Sequence, residues 1–142
     1  MKILVGYNNT EVSKAALVLA ADHARQFNAR VLIMTSMGGG TSETMEEIAE
    51  VEKTLGEAEQ LVKEKGVDCE THQLARGMAP GEDLVRFATE NDIDLIFVGI
   101  KKKSKAQKII LGSTAQYIIL KAPCPVTTVK PAFVRAAGRA VR

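Results

Sequence analysis

The chain has 142 residues, of which 46% are hydrophobic, 25% are charged and only 4% are aromatic, and its formal net charge is +2. This length suffices for one domain with a substantial core, which Val, Ile, Leu and Ala must build because aromatic residues are scarce. The sequence has no run of about 18 apolar residues and no signal-peptide pattern, so it predicts a cytoplasmic protein and argues against a membrane-spanning one.

The charged residues are unevenly distributed along the chain. Residues 1–100 contain 17 acidic and 9 basic side chains, whereas residues 101–142 contain 10 basic side chains and no acidic one. A basic C-terminal third beside an acidic body favours either an anionic ligand or association between copies of the chain. Aromatic residues suited to stacking on bases are nearly absent, which argues against nucleic-acid binding.

Five short segments predict the strands, most of them by a run of Val, Ile and Leu. The predicted strands are Lys2–Tyr7, Val31–Ser36, Cys69–Leu74, Asp94–Gly99 and Val126–Val129. The first and fourth are apolar without polar alternation, which is typical of central strands covered on both faces. The third alternates polar and apolar residues, so we expect it at an edge of the sheet.

Helical patterns separate the predicted strands. They cover about Glu11–Gln26, Ser42–Lys65, Pro80–Glu90 and Ser113–Lys121. In the first helix we expect Val12, Ala16, Leu19 and His23 to share the stripe that faces the sheet, with His23 partly buried beside a local partner. Strands that alternate with helices predict one parallel sheet with right-handed crossovers and helices on both faces.

The order of elements also predicts where a ligand binds. In such sheets ligands bind beyond the C-terminal ends of the strands, where the winding direction reverses, and here the reversal falls between the first and fourth strands. Two loops then face each other, residues 8–10 and residues 99–113.

The second loop contains five lysines and ends at Gly112-Ser113-Thr114. These three residues stand at the start of the last helix, where unpaired backbone N–H groups and the helix dipole favour an anion. The sequence therefore predicts an anion site between the two loops.

The spacing of Gly99, Gly112 and Ser113 carries a further indication. Together with the Ala-Pro-Cys-Pro-Val of residues 122–126, it resembles the signature of the universal stress protein family. In the nucleotide-binding branch of that family the pattern is Gly, two residues, Gly, nine residues, Gly, then Ser or Thr. Lys102 stands here in place of the second glycine. The resemblance covers about residues 2–130.

The resemblance implies a Rossmann-like α/β fold with sheet order 3-2-1-4-5, a domain over residues 1–130 and a basic tail over residues 131–142. It implies a stress-response regulatory protein that binds ATP with little or no turnover, takes Mg²⁺ only with the nucleotide and forms a homodimer through Val126–Val129. Adenine would contact the main chain at Thr35, and the phosphates would lie over the glycine-bearing loop. The implied binding residues are Asn8, Asn9, Thr10, Thr35, Gly99, Lys102, Gly112, Ser113 and Thr114.

Two departures from the family pattern leave alternatives open. Asn8 stands where nucleotide-binding members have Asp, and its amide can hydrogen-bond a ribose or a base but brings no negative charge to a metal. Lys102 either fills the phosphate space or holds the phosphates as a point charge. The alternative function is a dimeric interaction module that binds no nucleotide. An enzyme is disfavoured because we can place no His or carboxylate in the crevice.

Overall fold

The computed structural model describes residues 1–38, 43–101, 111–131 and 133. Its strands are β1 (Lys2–Gly6), β2 (Arg30–Ser36), β3 (Cys69–Leu74), β4 (Leu95–Gly99) and β5 (Val126–Val129). Its helices are α1 (Glu11–Phe27), α2 (Met45–Glu64), α3 (Pro80–Glu90) and α4 (Ser113–Lys121). The predicted start of the second helix at Ser42 and most of the basic tail lie outside the described residues.

The five strands form one sheet in the order β3-β2-β1-β4-β5. Each neighbouring pair is parallel, and β1 lies at the centre, with Val5 opposite Ile33 of β2 on one side and Phe97 of β4 on the other. The predicted α/β fold and strand order are therefore confirmed. None of the described helices is long and apolar enough to span a bilayer.

Side chains alternate between the two faces of the sheet and build two cores. Ile3 and Val5 of β1 pack in a cluster with buried residues of α1 and α2. Leu4 packs on the opposite face in a cluster with buried residues of α3 and α4. This period of two is the expected side-chain pattern of a strand, and because helices cover both faces, the buried middles of the central strands lack polar residues.

The predicted inner stripe of α1 is correct in part. Val12 and Ala16 are buried, but Leu19 and His23 are only partly buried. The deeper positions are taken mostly by small residues, which let the helix approach the sheet closely: Ser13, Leu17, Ala20, Ala21 and Ala24. The His23 ring lies 5.2 Å from the Phe97 ring, and its Nδ1 lies 3.2 Å from the Leu19 carbonyl oxygen, so it has the local partner that we expected.

Candidate functional site

A cleft of about 370 Å³ opens beyond the C-terminal ends of β1, β2 and β4. The sequence-predicted residues that line it are Asn8, Thr10, Thr35, Gly99, Gly112, Ser113 and Thr114. Of the other two, Asn9 does not line the cleft and Lys102 lies outside the described residues. Its neighbour Lys101 is exposed and does line the cleft. The structure thus brings the first loop and the described ends of the second loop together at the point where the winding reverses.

One wall of the cleft is apolar. It includes Met34, Leu84, Val98 and Ile118, which also belong to the core between the sheet and the helices α3 and α4. At Gly6 a methyl group would come within 2.7 Å of Leu84 Cδ1. The glycine at the end of β1 therefore leaves room for this leucine. An apolar wall with polar groups at its ends suits a flat ring with polar substituents.

The N-terminus of α4 opens onto the cleft. Its N-cap is Gly112, and within the described part of the chain no side chain caps it. The first intrahelical bond runs from the Gln116 N–H to the Gly112 carbonyl oxygen at 3.0 Å. The N–H groups of Ser113, Thr114 and Ala115 precede this bond and have no partner within the helix. With the positive end of the helix dipole, they can receive an anion.

The N-terminus of α1 borders the same cleft but is closed by its own residues. Thr10 Oγ1 accepts a hydrogen bond from the Ser13 N–H at 3.3 Å, and Ser13 Oγ accepts one from the Thr10 N–H at 3.0 Å. This reciprocal pair is a capping box. The Thr10 hydroxyl in turn donates to Asn8 Oδ1 at 2.7 Å. Among these residues, the Asn8 amide nitrogen is the group left to donate to a ligand.

Gly99 allows β4 to end against the first turn of α1. A Cβ atom at position 99 would lie 2.6 Å from the Val12 carbonyl carbon and 2.8 Å from the Ser13 nitrogen. From the sequence we expected phosphates over Gly99. The contact of β4 with α1 gives a second reason why this position is glycine. Close approach of two backbones requires a residue without a side chain.

The end of β2 contributes a hydrogen-bond network that the sequence analysis missed. The Thr35 hydroxyl donates to the Tyr7 carbonyl oxygen at 2.7 Å. The hydroxyl of Ser36, which also lines the cleft, donates to Asp83 Oδ2 at 2.7 Å. Asp83 is fully buried, and Arg76 Nε and Nη2 each lie 2.7 Å from its Oδ1.

A signal for this network existed in the sequence. Asp83 belongs to the inward stripe of α3 with Leu84 and Phe87, and the three are buried together. Its position in the first turn also suits the helix dipole. A carboxylate on a buried stripe requires a hydrogen-bonding or charged partner, and Arg76, on the turn just before the helix, was available.

Tyr7 lines the cleft, and it belongs to the core between the sheet and the helices α1 and α2. Burial raises its pKa, and the carboxylates of Glu57 and Glu11 raise it further. Its hydroxyl donates to Asn9 Oδ1 at 3.4 Å. Asn9 has a φ of +60°, a left-handed conformation that asparagine tolerates better than most residues. In the part of the chain that the structure describes, no group of three or more His, Cys, Asp or Glu residues is placed to hold a metal ion.

Comparison with known proteins assigns the chain to a family. The model of the universal stress protein family matches residues 1–130. A universal stress protein from Archaeoglobus fulgidus is 36% identical with a TM-score of 0.82, and the match covers 92% of this chain and 93% of that one. The structure of the universal stress protein from Archaeoglobus fulgidus in complex with dAMP is 34% identical with a TM-score of 0.79, over 92% of this chain and 98% of that one.

A universal stress protein of Methanocaldococcus jannaschii is 29% identical over 140 residues, which cover 91% of this chain and 81% of the relative. The family match covers both loops of the cleft and the five strands that position them. The chain belongs to the universal stress protein family.

Proposed function

We propose that this chain binds an adenine nucleotide, ATP in the first instance, with little or no turnover, and acts as a regulatory protein in the stress response. The observation that carries the proposal is the N-terminus of α4, which no described side chain caps and which opens onto a cleft with an apolar wall. The 34% identical protein from Archaeoglobus fulgidus in complex with dAMP supports an adenine nucleotide as the ligand.

In this proposal the phosphates lie at the N-terminus of α4. Backbone N–H groups and the hydroxyls of Ser113 and Thr114 donate to them, and the ammonium groups of Lys101 and Lys102 add positive charge. The Asn8 amide donates to the ribose or the base. Because Asn8 brings no negative charge, Mg²⁺ enters only with the phosphates of the nucleotide.

Titration calorimetry with ATP, ADP and AMP tests the proposal directly. We expect saturable binding, with an affinity that falls as salt rises because ammonium groups hold the phosphates. A mass spectrum of small molecules released from freshly purified protein identifies the nucleotide that co-purifies with it. The wild-type protein should release an adenine nucleotide in this experiment.

The role of Lys102 is tested by two substitutions in the same titration. If Lys102 holds phosphate, Lys102→Ala weakens binding by about tenfold, as loss of a charged hydrogen bond of about 1.5 kcal/mol requires, and flattens its salt dependence. If Lys102 fills the phosphate space, Lys102→Gly strengthens or creates binding. Lys121→Ala is the matched control, because it removes the same charge at the opposite end of α4.

The outcomes separate the two functions that the sequence left open. Binding by the Lys102→Gly protein alone would indicate an inherited site that one side chain closes. If no adenine nucleotide binds to the wild type or to either Lys102 variant, the nucleotide proposal fails. The alternative, a dimeric interaction module of the same family, would then remain.

We further propose that two copies associate through β5. This strand lies at an edge of the sheet, where it pairs with β4 on its inner side. Its outer backbone groups form a template for another strand, and a two-fold axis would pair Val126–Val129 with the same residues of a second copy. Analytical ultracentrifugation at micromolar concentration should show a dimer, and a monomer would refute this assembly.

A further inference from the structure

The end of β2 offers hydrogen-bond acceptors to the cleft. The hydroxyl protons of Thr35 and Ser36 are both directed at protein oxygens, the Tyr7 carbonyl and the Asp83 carboxylate, each at 2.7 Å. A hydroxyl has one proton and two lone pairs, so a hydroxyl that donates to the protein can only accept from a ligand. The α4 end of the cleft, by contrast, presents backbone N–H donors.

The direction of the Ser36 proton is fixed by an ion pair between the buried Asp83 carboxylate and the partly exposed Arg76 guanidinium. Asp83 Oδ1 lies 2.7 Å from both Nε and Nη2 of Arg76, and Arg76 Nη1 donates to Glu90 Oε1 at 2.7 Å. Arginine only donates, and an ionised carboxylate only accepts. With Oδ1 occupied by Arg76, Oδ2 faces Ser36 and must receive its proton. The Asp83 side chain is fully buried, so water does not compete for this bond.

We propose that Ser36, oriented by Asp83 and Arg76, determines which base the cleft accepts. Its oxygen accepts a hydrogen bond from an exocyclic amino group, so the cleft takes a 6-aminopurine in preference to a 6-oxopurine. A 6-oxopurine would place its carbonyl oxygen against the lone pairs of Ser36. This inference rests on the proposed nucleotide site and adds the residue and the reason for its base selectivity.

The position of Ser36 fits the base end of such a ligand. In the sheet β2 is separated from β4 by β1, and neighbouring strands lie about 4.8 Å apart, so β2 ends about 10 Å from the end of β4. The phosphate-binding groups proposed above lie at α4, just after β4 in the chain. A nucleotide that crosses the end of β1 places its base beside the apolar wall and toward Ser36.

The first experiment compares two ligands in two proteins. AMP and purine riboside 5′-monophosphate, which lacks the 6-amino group, are titrated into the wild type and into Ser36→Ala. We expect the wild type to bind AMP about tenfold more tightly, as one buried hydrogen bond allows, and Ser36→Ala to lose most of this preference. Thr54→Val is the matched control, because Thr54 has a similarly bonded hydroxyl outside the cleft, on α2.

The second experiment reverses the polarity of Ser36. In Asp83→Asn the carboxamide oxygen must face Arg76, so its NH₂ group faces Ser36 and donates to it. The Ser36 proton then turns toward the cleft and can bond a 6-oxo group. We expect the ratio of AMP affinity to IMP affinity to fall by at least tenfold, and a purely structural role for Asp83 would not change that ratio. Thermal unfolding checks that each variant is folded.

Each outcome has a separate meaning. If the wild type binds neither AMP nor ATP, the proposed function itself fails. If it binds AMP but Ser36→Ala keeps the wild-type ratio between the two ligands, the nucleotide site stands and the role of Ser36 is refuted. If Asp83→Asn does not fold, the Ser36→Ala titration decides alone. An Asp83→Asn protein that folds and keeps its AMP-to-IMP ratio within twofold of the wild type refutes the orienting role of Asp83.

Discussion

Two helices point their N-termini at the same cleft, and they differ in how their first N–H groups are satisfied. At α1, Thr10 and Ser13 bond each other's backbone in a capping box, and Gly99 lets β4 press against the turn. At α4, the N-cap is Gly112, and no described side chain takes over the first N–H groups. Both termini carry the same dipole, but at α1 the cap takes the Ser13 N–H, whereas at α4 no described side chain takes one.

This difference indicates that a helix N-terminus can bind an anion when its cap residue has no side chain to satisfy the first N–H groups. Ser, Thr, Asp and Asn are the usual caps because their side chains satisfy N–H groups of the first turn. A glycine cap leaves those groups to the solvent or to a bound anion. The α1 terminus therefore serves stability, whereas the α4 terminus is the one that we propose for binding.

The largest effect is expected from a substitution that disturbs the packing of β4 against α1. Gly99→Ala would place a methyl group within 2.8 Å of two backbone atoms of α1, the Val12 carbonyl carbon and the Ser13 nitrogen. Neither atom can move without shifting the helix. We expect the free energy of unfolding to fall by about 3 kcal/mol, the upper end of ordinary overpacking, in urea denaturation followed by circular dichroism.

Gly56→Ala is the control for that experiment. Gly56 lies within α2, and nothing approaches within 4 Å of the Cβ that it would gain. Because alanine is the better helix former, this variant should gain about 0.5 to 1 kcal/mol of stability. A Gly99→Ala protein within about 0.5 kcal/mol of the wild type would mean that β4 and α1 do not approach as closely as the structure has them.

The sequence predicted the frame of the molecule well, for reasons that particular residues make clear. The apolar run of β1 shows no polar alternation because helices cover both of its faces, and that rule predicted a central strand, while the order 3-2-1-4-5 came from the family resemblance. The position of the cleft followed from the reversal of winding between β1 and β4. Thr10 is a usual N-cap type, and its capping box is local, within residues 10–13.

The network at the end of β2 could not be predicted in the same way. Ser36 and Asp83 are separated by 47 positions, and their bond exists only because α3 packs beside the end of β2. The local sequence around Ser36 does not indicate that its partner is Asp83. On α1 the alanines lie deepest because they allow a close approach to the sheet, while Leu19 and His23 are partly buried beside them.

A smaller effect is expected from making α4 resemble α1. Gly112 has φ −70° and ψ 164°, an extended conformation that any residue adopts, so Gly112→Asp should keep the fold and cap the helix. We expect the free energy of unfolding without nucleotide to rise by a few tenths of a kcal/mol to about 1 kcal/mol. Nucleotide affinity should fall by at least tenfold in the same protein, because the new carboxylate occupies the N–H groups and repels phosphate.

Two further substitutions at position 112 separate the causes. Gly112→Asn brings a cap without a charge, so it should gain a similar stability but lose less affinity than Gly112→Asp. Gly112→Ala adds a methyl group without a cap, so any affinity that it loses measures the space the side chain takes. If Gly112→Asp is stabilised but binds nucleotide as the wild type does, the anion does not sit at the N-terminus of α4. The contrast between the two termini would then concern stability alone.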